Sequence, residues 1–208
     1  RIDNQGTLVF RGGFDSRNAT PWMQTQGDNV TRFENQPLNF GGNGISLDNY
    51  GTFNVCSTNN IWASIGLLKG TFLCGAANVL PTNSYVTFGV SYAPHGFLDL
   101  NGFDQQVNYL SYNAYSGGAA TTNMPIKSAS PATLTLQGDS ATRPFVGYFS
   151  GKVSLRYRNT GTLAFTGPTS ASTTTGDLLI ETGTVSFVQG ATWTGSTNIT
   201  VTGGILSV

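Results

Sequence analysis

The side chains best suited to chemistry crowd into one stretch. Arg11, Asp15, Arg17, Trp22, Asp28, Arg32 and Glu34 fall within 24 residues, with Pro21 beside the Trp. An indole can stack on the apolar face of a sugar ring, and charged groups beside it can hold hydroxyls, so the set suits a sugar-binding groove. Pro21-Trp22 marks an excursion from regular strands. The same residues also suit a loop lying over the fold with Trp22 packed beneath it.

Cleavage of a glycosidic bond needs two carboxylates on one face, about 5 Å or about 6.5–9.5 Å apart depending on mechanism. The chain has only ten acidic residues. Asp99 and Asp104 flank Leu100-Asn101-Gly102-Phe103, where Asp beside Gly serves turns. Asp177 and Glu181 are separated by the apolar Leu178-Leu179-Ile180. Neither makes a ready pair. The single histidine, His95, sits in the turn sequence Tyr92-Ala93-Pro94-His95-Gly96. No nucleophile elbow surrounds a Ser, and no Cys/His set has zinc spacing. Gly41-Gly42-Asn43-Gly44 lacks the Lys of a phosphate loop. The reading is therefore a non-catalytic chain with no metal and no cofactor. A polysaccharide-degrading protein is the alternative.

Cys56 and Cys74 suit either one disulfide in an exported protein or two reduced buried thiols. Asn18-Ala19-Thr20, Asn29-Val30-Thr31 and Asn198-Ile199-Thr200 are N-glycosylation sequons, at a number chance would supply in so Ser- and Thr-rich a chain.

What must position these residues is a β framework. Charged residues make up 10% of the chain, and ten basic side chains balance ten acidic ones. No basic field exists to attract nucleic acid or an anionic membrane. No apolar run approaches the roughly eighteen residues of a membrane helix. The 27 glycines with short Val, Ile, Phe and Thr runs read as all-β.

One phrase recurs: a small residue, then apolar residues two and four positions on. It appears at Gly6-Thr7-Leu8-Val9-Phe10, Gly51-Thr52-Phe53-Asn54-Val55, Gly70-Thr71-Phe72-Leu73-Cys74, Gly96-Phe97-Leu98-Asp99-Leu100, Ala132-Thr133-Leu134-Thr135-Leu136, Gly151-Lys152-Val153-Ser154-Leu155, Gly161-Thr162-Leu163-Ala164-Phe165, Gly183-Thr184-Val185-Ser186-Phe187 and Gly204-Ile205-Leu206-Ser207-Val208. Period two puts both apolar residues on one face of a strand. Gly51 to Gly70 is 19 residues, Gly161 to Gly183 is 22 and Gly183 to Gly204 is 21. A three-sided coil needs about twenty residues per turn, whereas hairpins need two-residue turns between equal strands. The expectation is one elongated right-handed parallel β-helix of about nine rungs, with these apolar residues inside. An antiparallel sandwich is the competing arrangement. If Gly51 stacks on Gly70, Val55 meets Cys74 and Cys56 faces the other way, so a disulfide needs a bulge or corner at Cys56.

The segments Asn78-Val79-Leu80-Pro81-Thr82, Val86-Thr87-Phe88-Gly89 and Gly96 to Val107 resemble the passenger-associated transport repeats of bacterial autotransporters, as do Gly161 to Gly167, Ile180 to Phe187 and Ile199 to Val208. The resemblance covers about residues 50–208, with residues 1–50 as divergent rungs. It implies a secreted or cell-surface β-helix, stalk-like or adhesive, acting with the rest of a parent chain and with a polysaccharide or host-surface ligand. The two cysteines depart from long passengers of that kind. The sequence opens on Arg1 close to one strand and stops inside another, which reads as a piece of something longer. Residues 200–208 hold no charge, no Pro and no helical pattern, so end-to-end self-association through the C-terminal rung is expected.

Overall fold

A computed structural model describes residues 2–4, 7–12, 14–15, 22–25, 29–89, 96–112, 125–166, 171–196 and 198–208. The described residues form strands and turns without a helix. Every strand pairing among them is parallel. The chain is thus a β-solenoid, and the sandwich is excluded.

The coil has three sides, visited in order. Side one carries, among others, Tyr85–Phe88, Tyr109–Tyr112, Thr142–Phe145, Thr162–Thr166, Thr184–Val188 and Ile205–Ser207. Side two carries Thr7–Phe10, Val30–Phe33 and Phe97–Asp99, and side three Gln105–Val107, Leu178–Ile180 and Ile199–Val201. Four long strands bend from one side into the next: Gly44–Val55 and Ser64–Cys74 from side one to two, Pro125–Leu136 and Tyr148–Tyr157 from side two to three. Two of the bends fall at Gly70 and Gly151, both at φ 72°, a left-handed conformation that a side chain would strain.

About seven turns stack this way, slightly fewer than the nine rungs expected. The physical reason is that the phrase does not mark one side. Its copies at Gly51, Gly70 and Gly96 lie on side two, those at Ala132 and Gly151 on side three, and those at Gly161, Gly183 and Gly204 on side one. Gly151 and Gly161, ten residues apart, open two sides of the coil rather than two rungs.

Inside, equivalent residues form columns. Side two stacks Phe53, Phe72, Leu98, Ile126 and Phe149, side three stacks Leu134, Leu155 and Leu178, and side one stacks Phe145, Phe165 and Phe187. Of the residues expected inside, Phe53, Val55, Phe72, Leu98, Leu100, Leu134, Leu136, Leu163, Phe165, Val185 and Phe187 are buried. Leu8, Phe10 and Leu206 are half-buried, and Val208 is 97% exposed. These four lie on the first and last of the described turns.

The corners are held by buried amides. Asn60 accepts from the Leu38 amide at 2.7 Å and donates to the carbonyls of Ser57 and Val79, so one side chain ties three successive turns. Gln105 accepts from the Leu80 amide and donates to the Ala76 carbonyl. Asn159 accepts from the Asp139 amide and donates to the Asn108 carbonyl at 2.8 Å. Each meets backbone groups that the turn leaves without a ladder partner.

Candidate functional surface

Three members of the expected sugar-binding set meet on the outer surface of the first turns. Arg32 lies opposite Asn54 on side two, on the face turned away from buried Phe33. Its Nε is 2.7 Å from one oxygen of Glu34, and Nε of Arg11 is 3.4 Å from the other. Two guanidinium groups thus share one carboxylate and leave one net positive charge. The side chains of Asp15 and Trp22, and Arg17 and Asp28 entirely, lie outside the described residues. So do Asn18 and His95.

Every acidic side chain described is engaged by a donor or a cation. Asp99 accepts from the Asn101 amide at 2.9 Å, which is the turn role read from sequence, with Lys127 at 3.7 Å. Asp104 accepts from the Thr133 amide, one turn on. Asp177 accepts from the side chain of Asn198, whose sequon residue is exposed. Asn29, in another sequon, gives its carbonyl to the Thr52 amide. Asp177 and Glu181 do not face each other as a pair: Glu181 is gripped by Arg156 at 2.6 Å and Arg158 at 2.7 Å. The hydrogen bond from Arg156 foremost holds the Glu181 carboxyl below its ordinary range.

Sequence reasoning missed a second cluster, at the corner leading into side one. Tyr85 and Tyr109 are ladder partners on the outer face, with ring centroids 4.6 Å apart and planes 8° apart. The Arg143 guanidinium lies over Tyr109 at 3.8 Å, a cation–π contact. Asp139 fixes that guanidinium through both oxygens, at 2.8 and 3.2 Å. Hydrogen bonding from Arg143 pulls the Asp139 carboxyl below its usual value, while burial raises the Tyr109 phenol. The available signal was the shared wording of Ser84-Tyr85-Val86 and Asn108-Tyr109-Leu110, polar, Tyr, apolar, at two strand starts. Both faces of Tyr109 are occupied, one by Tyr85 and one by Arg143. The cluster is a fixed polar ridge rather than an open stacking platform.

The cysteines are not bonded. Val55 is the ladder partner of Cys74, and Cys56 follows on the opposite face with its sulfur against Gly75 and Asn54. Neither a bulge nor a corner turns Cys56 inward. Burial, then the Asp99 charge, push the Cys74 thiol well above its ordinary value.

Among the described residues no group of three or more His, Cys, Asp or Glu could hold a metal ion, and no helix is long and apolar enough to cross a membrane. In comparison with known proteins, no family model, curated protein or solved structure matches the chain.

Proposed function

We propose that this chain is a non-catalytic structural and adhesive module: a stalk-like β-solenoid of a secreted or surface-displayed repeat protein of the autotransporter-passenger kind. One observation carries the reading. Glu34, Asp99, Asp104, Asp139, Asp177 and Glu181 are each committed to a backbone amide, an asparagine amide or a cation. A hydrolytic carboxylate must instead face a second carboxylate across the scissile bond. Among the described residues these acids pin neighbouring turns and turn residues, which serves rigidity.

The adhesive ligand we assign is a polysaccharide or cell-surface glycan. The Arg11–Glu34–Arg32 group supports this, since its exposed guanidinium edges can donate to sugar hydroxyls or carboxylates. A direct test incubates the 208-residue chain with a panel of neutral and uronate-bearing polysaccharides and measures both retention and newly formed reducing ends. Retention without new chain ends, weakened by Arg32→Ala, is the expected result. Release of chain ends, or retention unchanged by loss of both Arg11 and Arg32, overturns the proposal.

A further inference from the structure

A second group built like Arg11–Glu34–Arg32 stands farther along the coil. Arg156 donates from Nε and Nη2 to one oxygen of Glu181, at 3.0 and 2.6 Å. Arg158 places Nε 2.7 Å from the other oxygen and donates from Nη1 to the Gln137 side chain at 3.3 Å. In both groups the carboxylate and one arginine are neighbours in adjacent turns. Arg11 and Glu34 follow the ladder partners Phe10 and Phe33, and Arg158 and Glu181 follow Tyr157 and Ile180. The remaining arginine sits two positions before one of that pair, Arg32 before Glu34 and Arg156 before Arg158. Period two keeps it on the same face. Pinning a turn needs one cation per carboxylate, as Asp139 has in Arg143. Glu181, like Glu34, has two. One net positive charge is left over, on side chains that are both 42% exposed and keep unused N–H donors.

The two groups rim one side of the coil. Glu34 lies just past side two, where side three begins, and Glu181 just past side three, where it ends. Five ladder steps separate the turn of Arg32 from that of Arg156, from Thr31 through Phe53, Phe72, Leu98 and Ile126 to Phe149. At about 4.8 Å per step this is about 24 Å along the axis. Gln106, Thr135 and Gln137 occupy outer positions of side three along the way, while Val107, Leu134 and Leu136 are buried.

We propose that a polyuronate chain lies diagonally across side three with its carboxylates on both groups. The inference rests on the glycan reading above and sharpens it: the ligand is a polyanion held at two points. A guanidinium fork matches a carboxylate in shape as well as charge. The amide and hydroxyl side chains between the groups suit sugar hydroxyls. Two anchors on one coil make the second contact intramolecular, so a chain long enough to reach both gains avidity that a short one does not.

Titration of the 208-residue chain with polygalacturonate and with trigalacturonate, followed through the arginine Nε–H NMR signals, tests this. The trimer should bind the groups separately, and the polymer at least about tenfold more tightly. Arg156→Gln with Arg158→Gln should abolish that gain and leave trimer binding at Arg11 and Arg32. Glu181→Gln, which releases both guanidiniums from their internal anion, should tighten polymer binding, a gain that loss of folding cannot mimic. Equal affinity for polymer and trimer, or a polymer held as tightly without Arg156 and Arg158, overturns the two-point site and leaves the Arg11–Glu34–Arg32 reading standing. Preference for dextran sulfate overturns the uronate assignment. Retention of neutral polysaccharides alone overturns this inference but not the reading it rests on, and retention of no polysaccharide overturns both.

Discussion

Val55 stands opposite Cys74 in the side-two ladder, and this pairing sends Cys56 to the outer face. Alternation along the strand makes the two thiols face away from each other, so proximity in sequence does not bring them together. Cys74 is completely enclosed, whereas Cys56 is half-exposed. Alkylation of the folded chain should label Cys56 alone. Unfolding in denaturant without reductant should then yield the second thiol. An intact mass two hydrogens short, with no thiol reacting after unfolding, would show the bond after all.

Asn60 ties three successive turns through one buried side chain. Its replacement by Ala strands the Leu38 amide and the Val79 carbonyl inside the corner. A buried group left without its partner costs about 1–3 kcal/mol, so Asn60→Ala should lose roughly 3 kcal/mol or more. Leu155→Ala, in the middle of the Leu134–Leu155–Leu178 column, should lose about 2–5 kcal/mol through transfer and cavity terms. Val208→Ala should change stability by less than about 0.5 kcal/mol, because its side chain is already in solvent. Equilibrium urea unfolding of the three variants measures the order. A loss at Val208 comparable to that at Leu155 contradicts the assignment.

Parallel stacking was legible because the alternating pairs Phe53/Val55 and Phe72/Cys74, and Leu163/Phe165 and Val185/Phe187, recur about twenty residues apart. The side on which each phrase lands was not legible, since inward-facing pairs look alike on all three sides of a coil. The turn count suffered for that reason. Arg11, Arg32 and Glu34 could be grouped from sequence because they converge across two adjacent turns. Arg143 could not be placed. It shares register with buried Leu163, an inward position, yet its length lets it swing out to Asp139 and Tyr109. Asn60, Gln105 and Asn159 are ordinary polar letters in the sequence, and only the stacking reveals which backbone groups they satisfy.

Acid should weaken the corner ridge and the side-three grip in one pH range. Asp139 and Glu181 both have carboxyls below their ordinary values of 3.8 and 4.5, chiefly through hydrogen bonds from Arg143 and Arg156. A depressed folded value means the unfolded chain binds protons first, so this stabilisation is complete above about pH 5 and is lost as pH falls through the folded values. The pairs are largely solvated, so each contributes at most about 1 kcal/mol and less in high salt. Urea midpoints for Asp139→Asn and Glu181→Gln should lie below wild type at pH 7 and converge with it near pH 3. A difference that persists undiminished at pH 3 would assign the effect to packing instead.

Alkali should act through Tyr157, with the opposite sign. Its ring lies inside the side-three column between Leu136 and Ile180, and burial foremost, with the Asp139 charge second, pushes the phenol up to about 12 from 10.0. The folded chain keeps its proton while the unfolded chain gives it up near pH 10. Between these values the unfolded state binds fewer protons, so stability falls as pH rises. The contribution is fully present below about pH 10, and across the window the loss is on the order of 2–3 kcal/mol. Tyr157→Phe removes the titrating group. It should cost about 1 kcal/mol at pH 7, where the hydrogen bond from Asn159 is forfeited. Above pH 10 the variant should lose stability less steeply than wild type, so the two curves approach and then cross. Thermal unfolding of both proteins from pH 7 to 12, with tyrosinate absorbance followed in parallel, checks this. Parallel curves over the whole range would mean that Tyr157 ionises in the folded chain as readily as in the unfolded one, and that the column around it admits solvent.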